Sequence, residues 1–360
     1  MSSPEAPVQL DQIISLQEFE ELAQSRMPSM ALSYVSGGAA DEITLRANVE
    51  DWKKVRLKPT VLVDVSQVNL GTKLLGQKLA LPVMLAPAAF HRLCHPEGEL
   101  ATVAGANQAQ ASFVLSTYST VAVEEVAAAA TQPLWFQLYA QSDRELTRQI
   151  VERAQAAGCK ALCVTVDTPV LGARNRESRS QFKLPPDFKL PNLAFEPTAR
   201  ATGKAVADQL LAPTLTWKEI EWLRSIMSIP LLLKGVMNPD DAARAADAGV
   251  AAIMVSNHGG RNLDTLPSTA EALPRIADKL GGRLPIIVDG GIRRGTDILK
   301  AIAMGAQAVM IGRPYLHGLA VRGAAGVARV IEILKIELQM AMALTGRTKI
   351  SEIDRGVLWG

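Results

Sequence analysis

IMVSNHGGRNLD (253–264), PIIVDGGIRRGTDILKA (285–301) and GAQAVMIGRP (305–314) follow one another in the last third of the chain. Each is a short, β-branched apolar run that ends in a polar, Gly-rich turn. The first turn delivers Ser256, Asn257, His258 and Arg261. The second delivers Asp289, Gly290, Gly291, Arg293 and Arg294, and the third Gly312 and Arg313. Parallel strands buried on both faces read as continuous apolar runs, and the stretches between these have helical character. In a barrel of parallel strands and helices the loops after the strands carry the chemistry, and the last two commonly hold phosphate. Glycine lets backbone N–H groups approach an anion, and the helix N-terminus that follows adds positive potential. Arg293 and Arg313 are expected to bond the same anion, as guanidinium forks do.

Working outward, the same grammar recurs. Residues 11–26, DQIISLQEFEELAQSR, read as an amphipathic helix, and 27–39, MPSMALSYVSGGA, as a short helix that stops at Gly37 and Gly38 just after Tyr34. Strands are expected at 82–87, 111–116, 134–139, 161–169, 229–235, 251–257, 284–290 and 306–312, with helices at 97–110, 143–158, 215–227, 239–249, 269–280 and 323–344. In LWFQLY (134–139), Gln137 and Tyr139 fall on one face; in ALCVTVDTP (161–169), Thr165 and Asp167 do. The order predicts one (β/α)8 TIM barrel spanning 81–346, with an N-terminal helical extension (1–80), in a single domain of 360 residues. The stretch 171–215 breaks the rhythm. It is long, polar and proline-rich, which suits a lid or a disordered loop inserted after the fourth strand.

Composition narrows the function. Hydrophobic residues make up 48% and charged residues 21%, which is a globular balance. A net charge of +2 offers no broad basic field for nucleic acid. Cys94, Cys159 and Cys163 form neither a disulfide framework nor a metal pattern, so no metal and a reducing cytoplasm are expected. No apolar run reaches membrane-spanning length, and the N-terminus does not read as a signal peptide. No Gly-rich dinucleotide fingerprint joins a strand to a helix, which argues against a nicotinamide cofactor and leaves a site for one phosphate.

SNHGGRNLD, DGGIRRGTD and IGRP together resemble the signature of the FMN-dependent α-hydroxy-acid oxidase and dehydrogenase family, over about 16–346. The resemblance implies FMN against Ala88, Ala89, Ser116, Gln137, Thr165, Lys234, Ser256, Asp289, Gly290, Gly291, Arg293, Gly312 and Arg313. It implies His258 as general base, Asp167 as its partner, and Tyr34, Tyr139, Arg174 and Arg261 on the substrate. A histidine titrates near neutrality and can take a hydroxyl proton, a neighbouring carboxylate raises its basicity, and a guanidinium fork matches a carboxylate. A cation at Lys234 suits a reduced anionic flavin.

The reaction implied is oxidation of an L-2-hydroxy acid to the 2-oxo acid, with oxygen returned as hydrogen peroxide. These residues suit departure of the α-hydrogen as hydride and as a proton ahead of the electrons alike. Ala173, Asn262 and Tyr118 depart from common family residues, Tyr118 standing where glycolate oxidases often carry tryptophan. Phe90, Tyr118 and Leu171 are expected to line a small side-chain pocket, favouring L-lactate and then glycolate. The alternatives are a mandelate-type 2-hydroxy-acid dehydrogenase and a non-catalytic barrel that binds a phosphate ligand. Family likeness also implies a homotetramer or homo-octamer.

Overall fold

The computed structural model describes residues 9–193 and 212–360. Eight parallel strands close into a barrel: β3 (Val83–Leu85), β4 (Ser112–Ser116), β5 (Leu134–Leu138), β6 (Leu162–Thr165), β7 (Leu231–Lys234), β8 (Ala252–Val255), β9 (Ile286–Val288) and β10 (Ala308–Ile311), which pairs back onto β3. The expected (β/α)8 architecture is therefore present. The strands are shorter than their apolar runs because each chain leaves the ladder as it turns toward its helix. Asp167 is thus beyond β6, in the loop, and does not share the strand's face as expected.

Side chains alternate between two cores, as the two-residue period of a strand requires. Phe113, Leu115, Phe136, Leu138, Leu233 and Val288 point outward and pack under the helices. Val114, Trp135, Cys163, Leu232, Met254, Ile287 and Met310 point inward and fill the barrel. A small hairpin, β1 (Thr72–Leu74) with β2 (Gln77–Leu79), plugs the N-terminal end. Leu74 and Leu79 join the inner core, and the Trp135 indole donates to Gln77 Oε1 at 2.9 Å. With that end sealed, the inward positions at the other end are the ones left for a ligand.

The surrounding helices are α4 (Glu99–Gln108), α5 (Val123–Ala129), α6 (Arg144–Ala156), α8 (Trp217–Ser225), α9 (Pro239–Asp247), α10 (Thr269–Leu280), α11 (Gly295–Ala303) and α12 (Arg313–Leu344). The last helix begins ten residues before the expected 323, directly after Gly312. Backbone torsions at Arg322 and Gly323 break it, which is why the sequence pattern restarts there. The stretch 171–215 is not a structureless loop where it is described. It contains α7 (Asn175–Arg179), and Leu190 and Leu193 are buried against Phe90. The Asn192 side chain accepts from Val123 N at 2.8 Å, tying this segment to the start of α5. Residues 194–211 of the expected lid lie outside the described residues.

The N-terminal extension holds α1 (Leu16–Arg26), α2 (Ser29–Ser36) and α3 (Ile43–Lys54); α3 is absent from the sequence reading. Its N-terminus is satisfied from the barrel, because Asp264 accepts the backbone N–H of Asp41 at 3.0 Å, Ile43 at 3.2 Å and Thr44 at 2.8 Å. A side-chain carboxylate takes the orphan donors of a helix start in this way, and its charge suits the helix dipole. Asn48 and Asn257 exchange two amide hydrogen bonds of 2.8 Å one turn further on. We expect Asp264→Ala to lower stability by about 1–3 kcal/mol, since three backbone donors, that of Thr44 buried, lose their acceptor. Urea unfolding checks this; an unchanged midpoint would show that α3 docks without Asp264.

Candidate active site

At the open end of the barrel the top inward position of successive strands is polar. Ser116 Oγ donates to Gln137 Oε1 at 3.0 Å, and Gln137 Nε2 donates to Thr165 Oγ1 at 2.9 Å. Thr165 pairs in register with Lys234 on β7. Lys234 Nζ donates to Ser256 Oγ at 3.2 Å and lies 3.8 Å from Asp289 Oδ2. Burial drives the Lys234 pKa down, but Asp289 and Asp167 outweigh it and leave the ammonium above its ordinary value. The row of hydroxyl, amide and ammonium groups forms one wall of a cavity, and Ala86, Pro87, Ala88 and Ala89 form an apolar part of its lining. Its empty space, solvent mouth included, is about 1420 Å³.

Gly290, Gly291, Arg293, Gly312 and Arg313 line the same cavity. Gly291 has φ +87°, and a Cβ there would sit 1.8 Å from the Asn48 carbonyl oxygen, so only glycine fits. Gly290 turns its carbonyl outward to the Trp52 indole and the Thr269 hydroxyl, both at 2.9 Å. The N-terminus of α11 is not free for an anion as expected. Asp297 accepts Arg293 N and Arg294 N at 3.0 Å each, and Glu337 accepts Gly295 N at 2.8 Å. Arg313 bonds the carbonyls of Val35 (3.1 Å), Gly259 (3.0 Å) and Gly37 (2.8 Å). Three of the five N–H groups of its fork are thus engaged, and two remain for a ligand. Burial, then Arg261 and Arg293, push its pKa down to about 9.

His258 stands between these groups and the cavity mouth. Its φ of 57° is left-handed, a conformation that costs a non-glycine residue about 1–2 kcal/mol and is held by an N–H bond to Ser256 Oγ of 3.1 Å. Nδ1 lies 2.9 Å from Asp167 Oδ1, and Nε2 lies 3.4 Å from the Tyr139 hydroxyl. Desolvation and the Lys234 charge hold the imidazole below its ordinary pKa, against the pull of Asp167. The Asp167 carboxyl, which burial alone would raise, is held at about 2 by His258 and Lys234. Ser256 and Asp167 are not part of the wall. Ser256 is fully buried, and its hydroxyl accepts from Lys234 and His258, while Asp167 backs the imidazole.

Tyr34, Tyr118, Tyr139, Arg174 and Arg261 all line the cavity, as expected of substrate contacts. Arg261 Nη1 donates to Tyr34 O at 2.6 Å and Gly37 O at 3.0 Å, and its guanidinium carbon is 5.0 Å from the Tyr34 ring centroid. Arg174 Nε reaches Arg261 O at 3.4 Å. Asn262, a departure from the family's common glutamine, donates to Asp167 O at 3.0 Å and Thr168 Oγ1 at 2.7 Å. The aromatic side chains stack in sequence: Phe90 on Tyr118 at 6.2 Å and Tyr118 on Tyr139 at 4.7 Å. Leu171 lines this side, as expected, and Phe182, Leu184 and Glu177 join it, none of them foreseen. Their signal in the sequence is weak, because they lie in the stretch whose polar, proline-rich composition hides α7.

Residues 23–360 match the FMN-dependent dehydrogenase family. The chain belongs to it. It is 51% identical over 356 residues to an L-lactate oxidase of Nostoc sp. (strain PCC 7120 / SAG 25.82 / UTEX 2576), covering 96% of this chain and 98% of that one. It is 45% identical to a peroxisomal (S)-2-hydroxy-acid oxidase of Oryza sativa subsp. japonica, covering 95% and 94%. Among solved structures, a mandelate oxidase with (S)-4-hydroxymandelic acid superposes with a TM-score of 0.92 at 38% identity, covering 96% of this chain and 98% of that one. The protein is thus an enzyme of the FMN-dependent α-hydroxy-acid oxidase and dehydrogenase family, and its cofactor is FMN.

The cavity fits that cofactor on its own evidence. A ring with a polar edge matches the Ser116–Gln137–Thr165–Lys234 row. Asp289 Oδ1 is buried with no partner, ready to accept from a ligand hydroxyl. The glycine-lined end beside Arg293 and Arg313 suits one phosphate. Gly291→Ala is expected to raise the FMN dissociation constant at least tenfold, since the loop must move away from Asn48. Flavin fluorescence after dialysis reads this, and undiminished retention would show that the loop does not carry the phosphate.

Proposed function

We propose that the protein oxidises a short (S)-2-hydroxy acid, L-lactate first and glycolate next, to the 2-oxo acid and passes the electrons to oxygen, giving hydrogen peroxide. One observation carries the reading: two arginines and a histidine backed by a carboxylate face the cavity whose floor suits the flavin ring. Arg174 and Arg261 bind the substrate carboxylate, with the Tyr34 and Tyr139 hydroxyls beside them. His258 Nε2 accepts the proton of the substrate hydroxyl, and Asp167 stabilises the imidazolium that forms. FMN, when bound, supplies the acceptor for the α-hydrogen and the two electrons. Lys234 balances the negative charge that reduction brings to the ring. Oxygen then takes up two electrons and two protons. Likeness to the family supports a homotetramer or homo-octamer, and three free cysteines suit the cytoplasm.

A second reading is an aromatic substrate such as mandelate. The similarity to mandelate oxidases and the stacked walls Phe90, Tyr118 and Phe182 favour it. Anaerobic bleaching of the flavin by lactate, glycolate and mandelate, followed by air, separates these readings. Fastest bleaching by mandelate would replace the first with the second, and a flavin that stays reduced in air would exclude oxygen as acceptor.

The base makes a signed prediction about pH. Neutral imidazole is the active form, so kcat/KM should rise with pH through the His258 pKa, which lies below its ordinary value, and level off above it. Asp167→Asn removes a contribution that raises this pKa, so the acidic limb should move to still lower pH while kcat falls. His258→Ala should keep FMN and lose flavin reduction by at least ~10²–10⁴-fold. Near-normal reduction would place the base elsewhere.

Arg261→Lys should raise KM and lower kcat together, because a point charge cannot hold two carbonyls through Nη1 and present a fork to a carboxylate as well. Steady-state kinetics with L-lactate decides it; unchanged constants would remove Arg261 from the substrate site.

A further inference from the structure

We propose that Glu177 sets the charge of the carboxylate clamp, so that the site takes monocarboxylates and turns away a second carboxylate near the first. This rests on the reading of Arg174 and Arg261 as the clamp. Glu177 is 9% exposed and lines the cavity beside both arginines. Its Oε2 lies 3.4 Å from Arg174 Nη1 and 4.0 Å from Arg261 Nη2. The other acidic groups near the site have partners elsewhere: Asp167 on His258, and Asp289 beside Lys234. At the clamp itself, two guanidinium groups therefore face one carboxylate, and a single positive charge is left for the substrate. One bound carboxylate neutralises it. A second carboxylate on the same molecule enters an already balanced, part-buried site and meets Glu177 as a like charge, which low local dielectric makes costly.

Glu177 is placed for this by the fold of its segment. Its carbonyl accepts Ser180 Oγ at 2.8 Å and Phe182 N at 3.2 Å, closing the turn after α7. Phe182 then stacks on Tyr34 at 4.6 Å, which ties this turn to the lining of the cavity. It acts through the arginines and through its charge; it is a positioning and selectivity residue, not a participant in proton transfer.

The test uses the FMN-loaded enzyme and two ligands of nearly the same shape, oxalate and oxamate, which differ by one negative charge. Flavin absorbance titrations give both dissociation constants. In Glu177→Gln the oxalate constant should fall relative to oxamate by about tenfold or more, while Glu177→Asp, which keeps the charge, should stay within about threefold of the wild-type ratio. A ratio unchanged in Glu177→Gln, or both ligands weakened alike, would overturn the proposal and leave Glu177 as a brace for the arginines. A measurement on the wild type keeps the question open to refutation should the Gln variant lose FMN. L-Glycerate and tartronate share a size and differ by one carboxylate, and glycerate should reduce the flavin at least a hundredfold faster; equal rates would overturn the proposal. If lactate, glycerate and tartronate all fail to reduce the flavin, it is the proposed function that falls, since the oxalate and oxamate titrations need no turnover.

Discussion

Closing eight parallel strands on themselves leaves polar side chains one place to go. The lower inward positions must be apolar to fill the barrel, as Val114, Trp135, Leu232 and Met254 do. Outward positions must be apolar to seat the helices. The last inward position before each chain turns away faces a cavity and not a core, so a polar group there can reach a ligand. Ser116, Gln137, Thr165, Lys234 and Asp289 all stand at that position. The β1–β2 hairpin makes the arrangement one-sided by sealing the other end with Leu74, Leu79 and Gln77. The site is therefore a consequence of strand periodicity and closure before any particular chemistry is considered.

That explains what could be read from the sequence. The apolar runs ending in SNHGG, DGG and IGRP mark strand ends, and a strand end in a parallel barrel is where a side chain meets the ligand. Gln137, Thr165, Lys234, His258 and Arg313 were legible for this reason. Groups that act from behind the wall carry no such mark. Ser256 reads like a ligand contact because it follows β8, yet its hydroxyl is buried and taken up by Lys234 and His258. Asp297 looks like a first-turn helix residue, and its occupation of the α11 donors depends on how the Arg293–Arg294 backbone curls back. Helix α3 was missed because its buried residues include Thr44 and Asn48, polar groups whose partners Asp264, Leu266 and Asn257 lie more than 200 positions away. Tertiary pairing, not periodicity, makes those positions interior.

The N-terminal extension is part of the site for the same reason. Asp264, six residues beyond His258, fixes the start of α3, and Gly260 O accepts Ala39 N at 2.8 Å. These bonds hold the end of α2 against the loop that carries His258. Tyr34 is thereby set beside Arg261, although the two are far apart in sequence. A sequence reading can place each of these residues near a turn, but their meeting depends on hydrogen bonds made by backbone groups, which every residue type offers equally.

The end of α2 also joins two of the cavity's arginines. The Gly37 carbonyl accepts Arg313 Nη2 at 2.8 Å and Arg261 Nη1 at 3.0 Å. Arg313 lies beside the glycine-lined end of the cavity and Arg261 beside Arg174, so one backbone oxygen fixes the orientation of both. Burial lowers the pKa of each guanidinium, and Arg261 lowers that of Arg313 further, as Arg174 lowers that of Arg261. Buried like charges of this kind are costly until an anion arrives, and backbone carbonyls repay only part of that cost. An anion at either end relieves repulsion felt at the other. An anion bound beside Arg313 would lower the positive potential that this guanidinium shares with Arg261 and Arg293. Around the cavity the cations Arg293, Arg313, Lys234, Arg174 and Arg261 outnumber the carboxylates Asp289, Asp167 and Glu177, so the side chains alone leave it positive and suited to anionic ligands.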